Sequence, residues 1–173
     1  MHCAMTGQKL NDPSDGIWDD GEWIGWDWIN GQLYEQDIKA QYPKASFELI
    51  ELFERFVEVA VDHKQLTGNY LQVWGELGEL YAEIKFGIKR HRPKTAGSDG
   101  KLGNDFVEVK TISPEKSVHA VQVKRAGNFN KLLVVKVSES FEFEARMIDR
   151  RLLRKSKGSH AGITWNAMPK SSE

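Results

Sequence analysis

The sequence predicts a single α/β domain in which helices flank a mixed β-sheet. Two segments of the first half place apolar residues at helical spacing, and four short segments of the second half alternate apolar and polar residues as strands do. The length of 173 residues suits one hydrophobic core rather than several. We expect a core at residues 44–155, an acidic, tryptophan-rich arm at residues 1–43 and a loose tail at residues 156–173.

Composition argues against several classes of protein. Hydrophobic residues make up 40% of the chain and charged residues 28%, and no apolar run is long enough to cross a membrane. The N-terminus has no basic segment followed by an apolar one, so we expect no secretory signal and a cytoplasmic location. Cys3 is the only cysteine and the five histidines are scattered, which argues against a disulfide framework and a zinc site.

The N-terminal arm is rich in aromatic and acidic residues. It holds four of the six tryptophans, and residues 16–37 contain no lysine or arginine. Tryptophans of this density can stack on bases, but the six acids between Asp12 and Asp27 would repel phosphates. We therefore expect a packed arm or a short hairpin that turns at Asp19-Asp20-Gly21. The alternatives are a protein-docking surface and an acidic arm that lies over a basic cleft.

Two helices are expected in the first half of the core. The first covers residues 46–66, with Ser46 as its N-cap and apolar residues on one face. The second covers residues 70–86, with Asn69 as its N-cap and Gly87 at its C-terminal end.

The second helix has three different faces at helical spacing. One is apolar, one carries small residues that allow another backbone to approach, and the third is acidic. The small residues are Gly75, Gly78 and Ala82, and the acids are Glu76, Glu79 and Glu83. Like charges three and four residues apart disfavour an isolated helix, so these acids either lie in solvent or face a cation.

The second half of the core carries four expected strands and one informative hairpin. The strands cover residues 106–112, 119–124, 131–137 and 141–147. Gly103-Asn104 suits a two-residue turn, and counting outward from it places Asp99 opposite Glu108. Strand alternation puts Lys110 on the same face as Glu108.

Two opposed carboxylates, about 5 Å apart at Cβ, destabilise a sheet unless a positive charge neutralises them. A divalent cation would do so. The alternative is an exposed hairpin in which Lys110 forms ion pairs with Asp99 and Glu108, although surface pairs contribute only about 0 to 1 kcal/mol.

These residues resemble the signature of the PD-(D/E)xK nuclease superfamily, whose members share the restriction-endonuclease-like fold. The matching residues are Gly97-Ser98-Asp99, then eight residues, then Glu108-Val109-Lys110, after a helix that carries Gly75-Glu76-Leu77-Gly78-Glu79. Ser98 stands where the signature has proline. The resemblance covers roughly residues 70–137 and leaves the arm and the first helix unexplained.

The resemblance implies a role for each residue of the motif. Asp99 and Glu108 would be ligands of Mg²⁺ or Mn²⁺, with the backbone carbonyl of Val109 as a further ligand. Lys110 would orient or help to deprotonate the attacking water and stabilise charge in the transition state. A helix glutamate would lie near the metal; we prefer Glu79, with Glu76 and then Glu83 as alternatives.

The charge distribution suggests a polyanionic partner. Residues 1–84 have a net charge of −11 and residues 85–173 a net charge of +10, although the two halves would also pair with each other in a fold. The basic residues that flank the motif are expected to contact a nucleic-acid backbone without reading its sequence. They are Lys89, Arg90, Arg92, Lys94, Lys124 and Arg125.

The sequence analysis thus leads to a Mg²⁺-dependent endonuclease that hydrolyses DNA, of restriction or repair type. The resemblance also suggests that so small a chain cuts a duplex as a homodimer or within a larger complex. One alternative is a noncatalytic module of the same fold that binds nucleic acid or protein. Another is an RNA-cleaving nuclease.

Overall fold

The computed structural model describes residues 1–92, 95, 97–153 and 158–170. Lys94, one of the expected nucleic-acid contacts, lies outside these ranges. The chain divides into two compact units, Met1–Pro43 and Lys44–Glu173. Helices and a mixed sheet occur together, which confirms the α/β class. Within the described ranges, no helix is both long enough and apolar enough to span a membrane.

The N-terminal unit is a β-hairpin followed by a helix. Strands β1 (Gly16–Asp19) and β2 (Glu22–Gly25) are antiparallel, and the chain reverses at Asp20-Gly21, where both residues have positive φ angles. This is the turn that the sequence predicts. Helix α1 (Trp26–Gln41) was not predicted, because its apolar residues lack helical spacing and none of them is buried.

The C-terminal unit begins with the two expected helices. Helix α2 (Phe47–Thr67) starts where predicted, and the Ser46 hydroxyl accepts a hydrogen bond from the Leu49 N–H. Helix α3 (Trp74–Phe86) ends at Gly87, as predicted.

The start of α3 corrects the sequence prediction. The helix begins four residues later than expected, and Asn69 does not cap it. Both the Asn69 amide and its backbone N–H instead donate to Thr67, so Asn69 completes the turn after α2.

A five-stranded mixed sheet forms the centre of this unit. Its strands, in spatial order, are β3 (Lys89–Arg90), β4 (Gly100–Leu102), β5 (Asp105–Ile112), β7 (Lys131–Val137) and β8 (Phe143–Asp149). Strands β5 and β7 are parallel, and the other neighbours are antiparallel. Strand β7, which lies between β5 and β8, is apolar on both faces, as a strand covered on both sides should be.

The two faces of the sheet have different covers. Leu133 and Val135 pack in a cluster with Ala82 of α3, whereas Leu132 and Val134 pack against the two-stranded ribbon of β6 (Ala120–Lys124) and β9 (His160–Thr164). Strand β5, which carries Glu108 and Lys110, also lies between α3 and this ribbon, since Val107 and Val109 pack on the α3 side and Ile112 on the ribbon side.

Strand β9 shows that the expected loose tail at residues 156–173 is wrong for the residues described there. Trp165 and Met168, which follow β9, are buried in the core. The Arg146 guanidinium lies 4.3 Å from the centre of the Trp165 ring and donates to the Trp165 carbonyl oxygen at 3.1 Å. These long-range contacts order a segment whose own sequence has no strong strand pattern.

Candidate active site

The β4–β5 hairpin has the register that the sequence predicts. Leu102 pairs with Asp105 and Gly100 with Val107, so Gly103-Asn104 forms the two-residue turn. Strand β4 lies so close to Ile88 and β3 that position 100 must be glycine, because a Cβ there would lie 2.7 Å from the Ile88 side chain. Asp99 precedes β4, and its N–H donates to the carbonyl oxygen of Val107, the partner of Gly100, at 3.0 Å. The paired residues end at Gly100, so the predicted pairing of Asp99 with Glu108 is not part of the ladder.

The Asp99 carboxylate is held against the backbone of β5. Its Oδ2 accepts a hydrogen bond from the Val109 N–H at 2.7 Å. The backbone of Asp99 is also held, because the His91 N–H donates to the Asp99 carbonyl oxygen at 2.9 Å. The His91 ring contacts Phe106 edge-on and approaches the Ser98 carbonyl oxygen at 3.2 Å. Sequence analysis gave His91 no role in this support, because the contacts span seven residues or more.

Glu108 and Lys110 form a close ion pair on the same face of β5. The Lys110 Nζ lies 2.6 Å from Glu108 Oε1 and 3.3 Å from the Val109 carbonyl oxygen. The Glu108 side chain is only 18% exposed, so water screens the pair incompletely. Val107 and Val109 point to the opposite face, where they are buried in the core. The predicted alternation along β5 is therefore confirmed.

Glu79 of α3 faces this hairpin. Burial raises the pKa of Glu79, and the nearby negative charges of Asp99 and Glu76 raise it further. The positive charges of Arg90 and Lys110 act in the opposite direction without cancelling the rise. Glu79, Val109 and Lys110 line one surface cavity of about 500 Å³. The structure thus brings both Asp99 and Lys110 within electrostatic reach of Glu79.

Arg90 separates the three glutamates of α3. Its guanidinium is 2.7 Å from Glu76 Oε1 and 2.8 Å from Glu83 Oε2, but 4.0 Å from Glu79 Oε2. Burial acts to lower the pKa of Arg90, yet its hydrogen bonds to Glu76 and Glu83 outweigh burial and raise it. Glu76 and Glu83 are therefore engaged with Arg90, whereas Glu79 is the one that faces the hairpin.

These ion pairs bear on the expected nucleic-acid contacts. Arg90 forms ion pairs with two carboxylates, so a phosphate would compete with them for its guanidinium. Lys89 is an exposed residue of the edge strand β3, paired with Lys101, and Arg92 is exposed in the loop that follows. The other two expected contacts belong to a different sheet: Lys124 is the last residue of β6, and Arg125 follows it.

A second cavity lies on the other side of Lys110. It measures about 370 Å³, and its lining includes Glu108, Lys110, Gln122 and Lys124. Sequence analysis did not identify Gln122 as a residue of the site. Gln122 lies between Val121 and Val123 on β6, and both valines are buried. Strand alternation therefore indicates that the Gln122 side chain faces away from the core.

The donor set fits a hard divalent cation in chemical type. Two carboxylates and a backbone carbonyl are the oxygen ligands that Mg²⁺ takes, with water completing its octahedron. Within the described part of the chain, no three histidine, cysteine, aspartate or glutamate side chains are already grouped as ligands. Asp99 is instead bonded to the Val109 N–H and Glu108 to Lys110, so a cation would compete with these contacts.

No family model matches the chain, and neither does any curated protein. The function must therefore be argued from the residues themselves and from their arrangement.

Proposed function

We propose that the protein is a metal-dependent endonuclease of the PD-(D/E)xK superfamily, with a restriction-endonuclease-like core, that hydrolyses DNA phosphodiester bonds. One observation carries the proposal. Glu108 and Lys110 form an ion pair on β5, and the Asp99 carboxylate accepts a hydrogen bond from the Val109 N–H between them. Glu79 of α3 has a raised pKa, and the charges of Asp99 and Lys110 both act on it. A desolvated acid beside further acids is the arrangement that a bound cation stabilises.

The residues divide the chemistry among themselves. Asp99, Glu108 and the Val109 carbonyl oxygen would hold Mg²⁺ or Mn²⁺, which supplies Lewis acidity and lowers the pKa of a bound water. Lys110 would then leave its ion pair with Glu108 and donate hydrogen bonds to the attacking water and to the phosphate oxygens. Its ammonium charge would offset the negative charge that develops on the phosphate in the transition state. Glu79 would add negative charge beside the ligands and orient water.

The substrate and the metal are tested together by cleavage assays. Supercoiled plasmid, single-stranded DNA and RNA of similar length would each be incubated with the full chain in Mg²⁺, Mn²⁺ or EDTA. We expect metal-dependent nicking or linearisation of DNA and none in EDTA. Preferential cleavage of RNA would favour the RNA-cleaving alternative. We also propose that the protein acts as a homodimer or within a larger complex, and light scattering on the same preparations measures its oligomeric state. A cytoplasmic location is a separate proposal.

A noncatalytic binding module remains the second candidate, because the 2.6 Å pair between Glu108 and Lys110 is already satisfied without a metal. Metal binding separates the two candidates. If the nuclease proposal holds, Mn²⁺ raises the Tm of the wild-type protein, and Asp99→Asn abolishes this shift. Asparagine can still accept the hydrogen bond from the Val109 N–H, so the variant removes charge with little loss of structure. Equal shifts in both proteins, or no shift in either, would favour the binding module.

A further inference from the structure

A basic cavity lies beyond β6, away from Glu79. It measures about 740 Å³ and is lined by residues from β5, β6, β7 and the end of β8. Five of its lining residues are basic and two are acidic, which leaves an excess of three positive charges. The basic residues are Lys124, Arg125, Lys131, Arg150 and Arg151.

The two acids of this basic cavity already have partners. Asp105 Oδ2 lies 3.1 Å from Lys131 Nζ, and Asp149 Oδ2 lies 3.1 Å from the Arg151 guanidinium. The Arg151 side chain is 83% exposed, so its pair with Asp149 is open to solvent and to competing anions.

Arg150 is a fixed cation in the wall of the basic cavity. Its guanidinium donates to the carbonyl oxygens of Gly127 at 2.6 Å and Phe129 at 3.2 Å, and also to that of Arg125. It also lies 4.7 Å from the centre of the Phe129 ring. Carbonyl oxygens and an aromatic ring carry no net charge, so these contacts orient Arg150 without neutralising it.

The basic cavity adjoins the candidate active site through Lys124. Lys124 lines both the basic cavity and the cavity that contains Glu108 and Lys110. The loop at residues 125–129, which Arg150 fixes, also lines both, since Gly127 belongs to the active-site side and Phe129 to the basic side. Positively charged side chains therefore line both cavities: Lys110 in the first, Lys124 in both, and Arg150 and Arg151 in the second.

We propose that a DNA strand crossing the active site continues over Lys124 into the basic cavity, where Arg150 and Arg151 bind a backbone phosphate beyond the cleaved bond. This inference rests on the proposed function. The phosphate contacts position the strand and supply affinity that depends on salt, but they carry no sequence information.

The test measures DNA binding in EDTA, where cleavage cannot occur. Fluorescence anisotropy of a labelled duplex, from 50 to 200 mM salt, would compare the wild-type protein with Arg151→Ala and Asp149→Asn. We expect Arg151→Ala to weaken binding and to reduce the slope of log K against log salt by about one. We expect Asp149→Asn to tighten binding, because it removes a competing negative charge from the cavity. Loss of fold would not produce this opposite pair of effects.

Lys39→Ala serves as the control, because Lys39 is an exposed lysine of α1, outside the C-terminal unit, paired with Glu35. The inference is overturned if Arg151→Ala and Asp149→Asn leave affinity and salt slope unchanged while the wild-type protein cleaves DNA; the proposed function then stands. If the wild-type protein neither binds nor cleaves DNA, the proposed function fails and the inference fails with it.

Discussion

At the scale of single residues, the three glutamates of α3 show how neighbours give one residue type different roles. Their spacing in the sequence shows that they share a face, but not which of them meets another charge. The structure distinguishes them, because Arg90 lies closer to Glu76 and Glu83 than to Glu79, and Glu79 faces the hairpin. No local pattern could have shown this, since Arg90 reaches α3 from β3.

The raised pKa of Glu79 predicts a pH-dependent effect on stability. Above the folded pKa, the folded state holds a charge that its surroundings disfavour, so Glu79→Gln should raise the Tm at pH 7 by a few degrees at most. Glutamate in the unfolded chain has a pKa slightly above 4. At a pH below that pKa, the carboxyl group is protonated in both the folded and the unfolded state, and the gain in Tm should disappear. Thermal unfolding in EDTA at both pH values measures this. A Tm at pH 7 that falls below that of the wild-type protein would contradict the prediction.

The motif residues themselves were within reach of sequence analysis. A two-residue turn fixes the pairing of a hairpin, and alternation then fixes which side chains share a face, so Glu108 and Lys110 could be placed together. The predicted pairing of Asp99 with Glu108 lies beyond the ladder, which ends at Gly100. What the sequence could not give is the hydrogen bond from Val109 to Asp99, or the choice of Glu108 as the partner of Lys110. Both depend on side-chain positions rather than on spacing.

At the scale of elements, the site exists because α3 lies close to β5. Gly78 allows this approach, since a Cβ there would overlap the Thr111 hydroxyl, and Ala82 is fully buried one turn later. The small-residue stripe along α3 predicted that another backbone could approach closely; at Gly78 the structure instead shows a close approach by the Thr111 side chain of β5. Gly75, on the same stripe, has open space around it.

Alanine at these two glycines should therefore have opposite effects. Gly78→Ala must displace either α3 or the Thr111 side chain, and overpacking of this kind costs about 1 to 3 kcal/mol, or a fall in Tm of several degrees. Gly75→Ala meets no atom within 4 Å and should leave the Tm unchanged or raise it, because alanine favours a helix. Thermal unfolding of both variants measures the difference. Equal destabilisation by the two substitutions would contradict the close approach at Gly78.

Elements with strong local signals were predicted well, and those ordered by distant contacts were not. Ser46 and Gly87 marked two helix ends because capping is a local interaction. Helix α1 and strand β9 were missed. The first has no buried face, and the second depends on pairing with β6, some forty residues earlier, and on the burial of Trp165.

At the scale of the whole molecule, the charge asymmetry has two components. Some of the acids in the first half of the chain neutralise cations of the second half within the C-terminal unit, as Glu76 and Glu83 do for Arg90. The excess of positive charge that remains around Lys124, Arg150 and Arg151 lies beside the candidate active site. Sequence analysis weighed internal pairing against binding to a polyanion; the described contacts show internal pairing at Arg90, and binding to a polyanion stays a proposal.

The central claim is that the β4–β5 hairpin is the centre of a metal-dependent nuclease. The most direct test compares plasmid cleavage by the wild-type protein, Lys110→Ala and Lys101→Ala in Mn²⁺. Lys101 is a matched control, because it is an exposed lysine on the other strand of the same hairpin. We predict a loss of at least about 100-fold for Lys110→Ala and activity near that of the wild-type protein for Lys101→Ala. Undiminished cleavage by a folded Lys110→Ala protein, or no cleavage by the wild-type protein, would contradict the account.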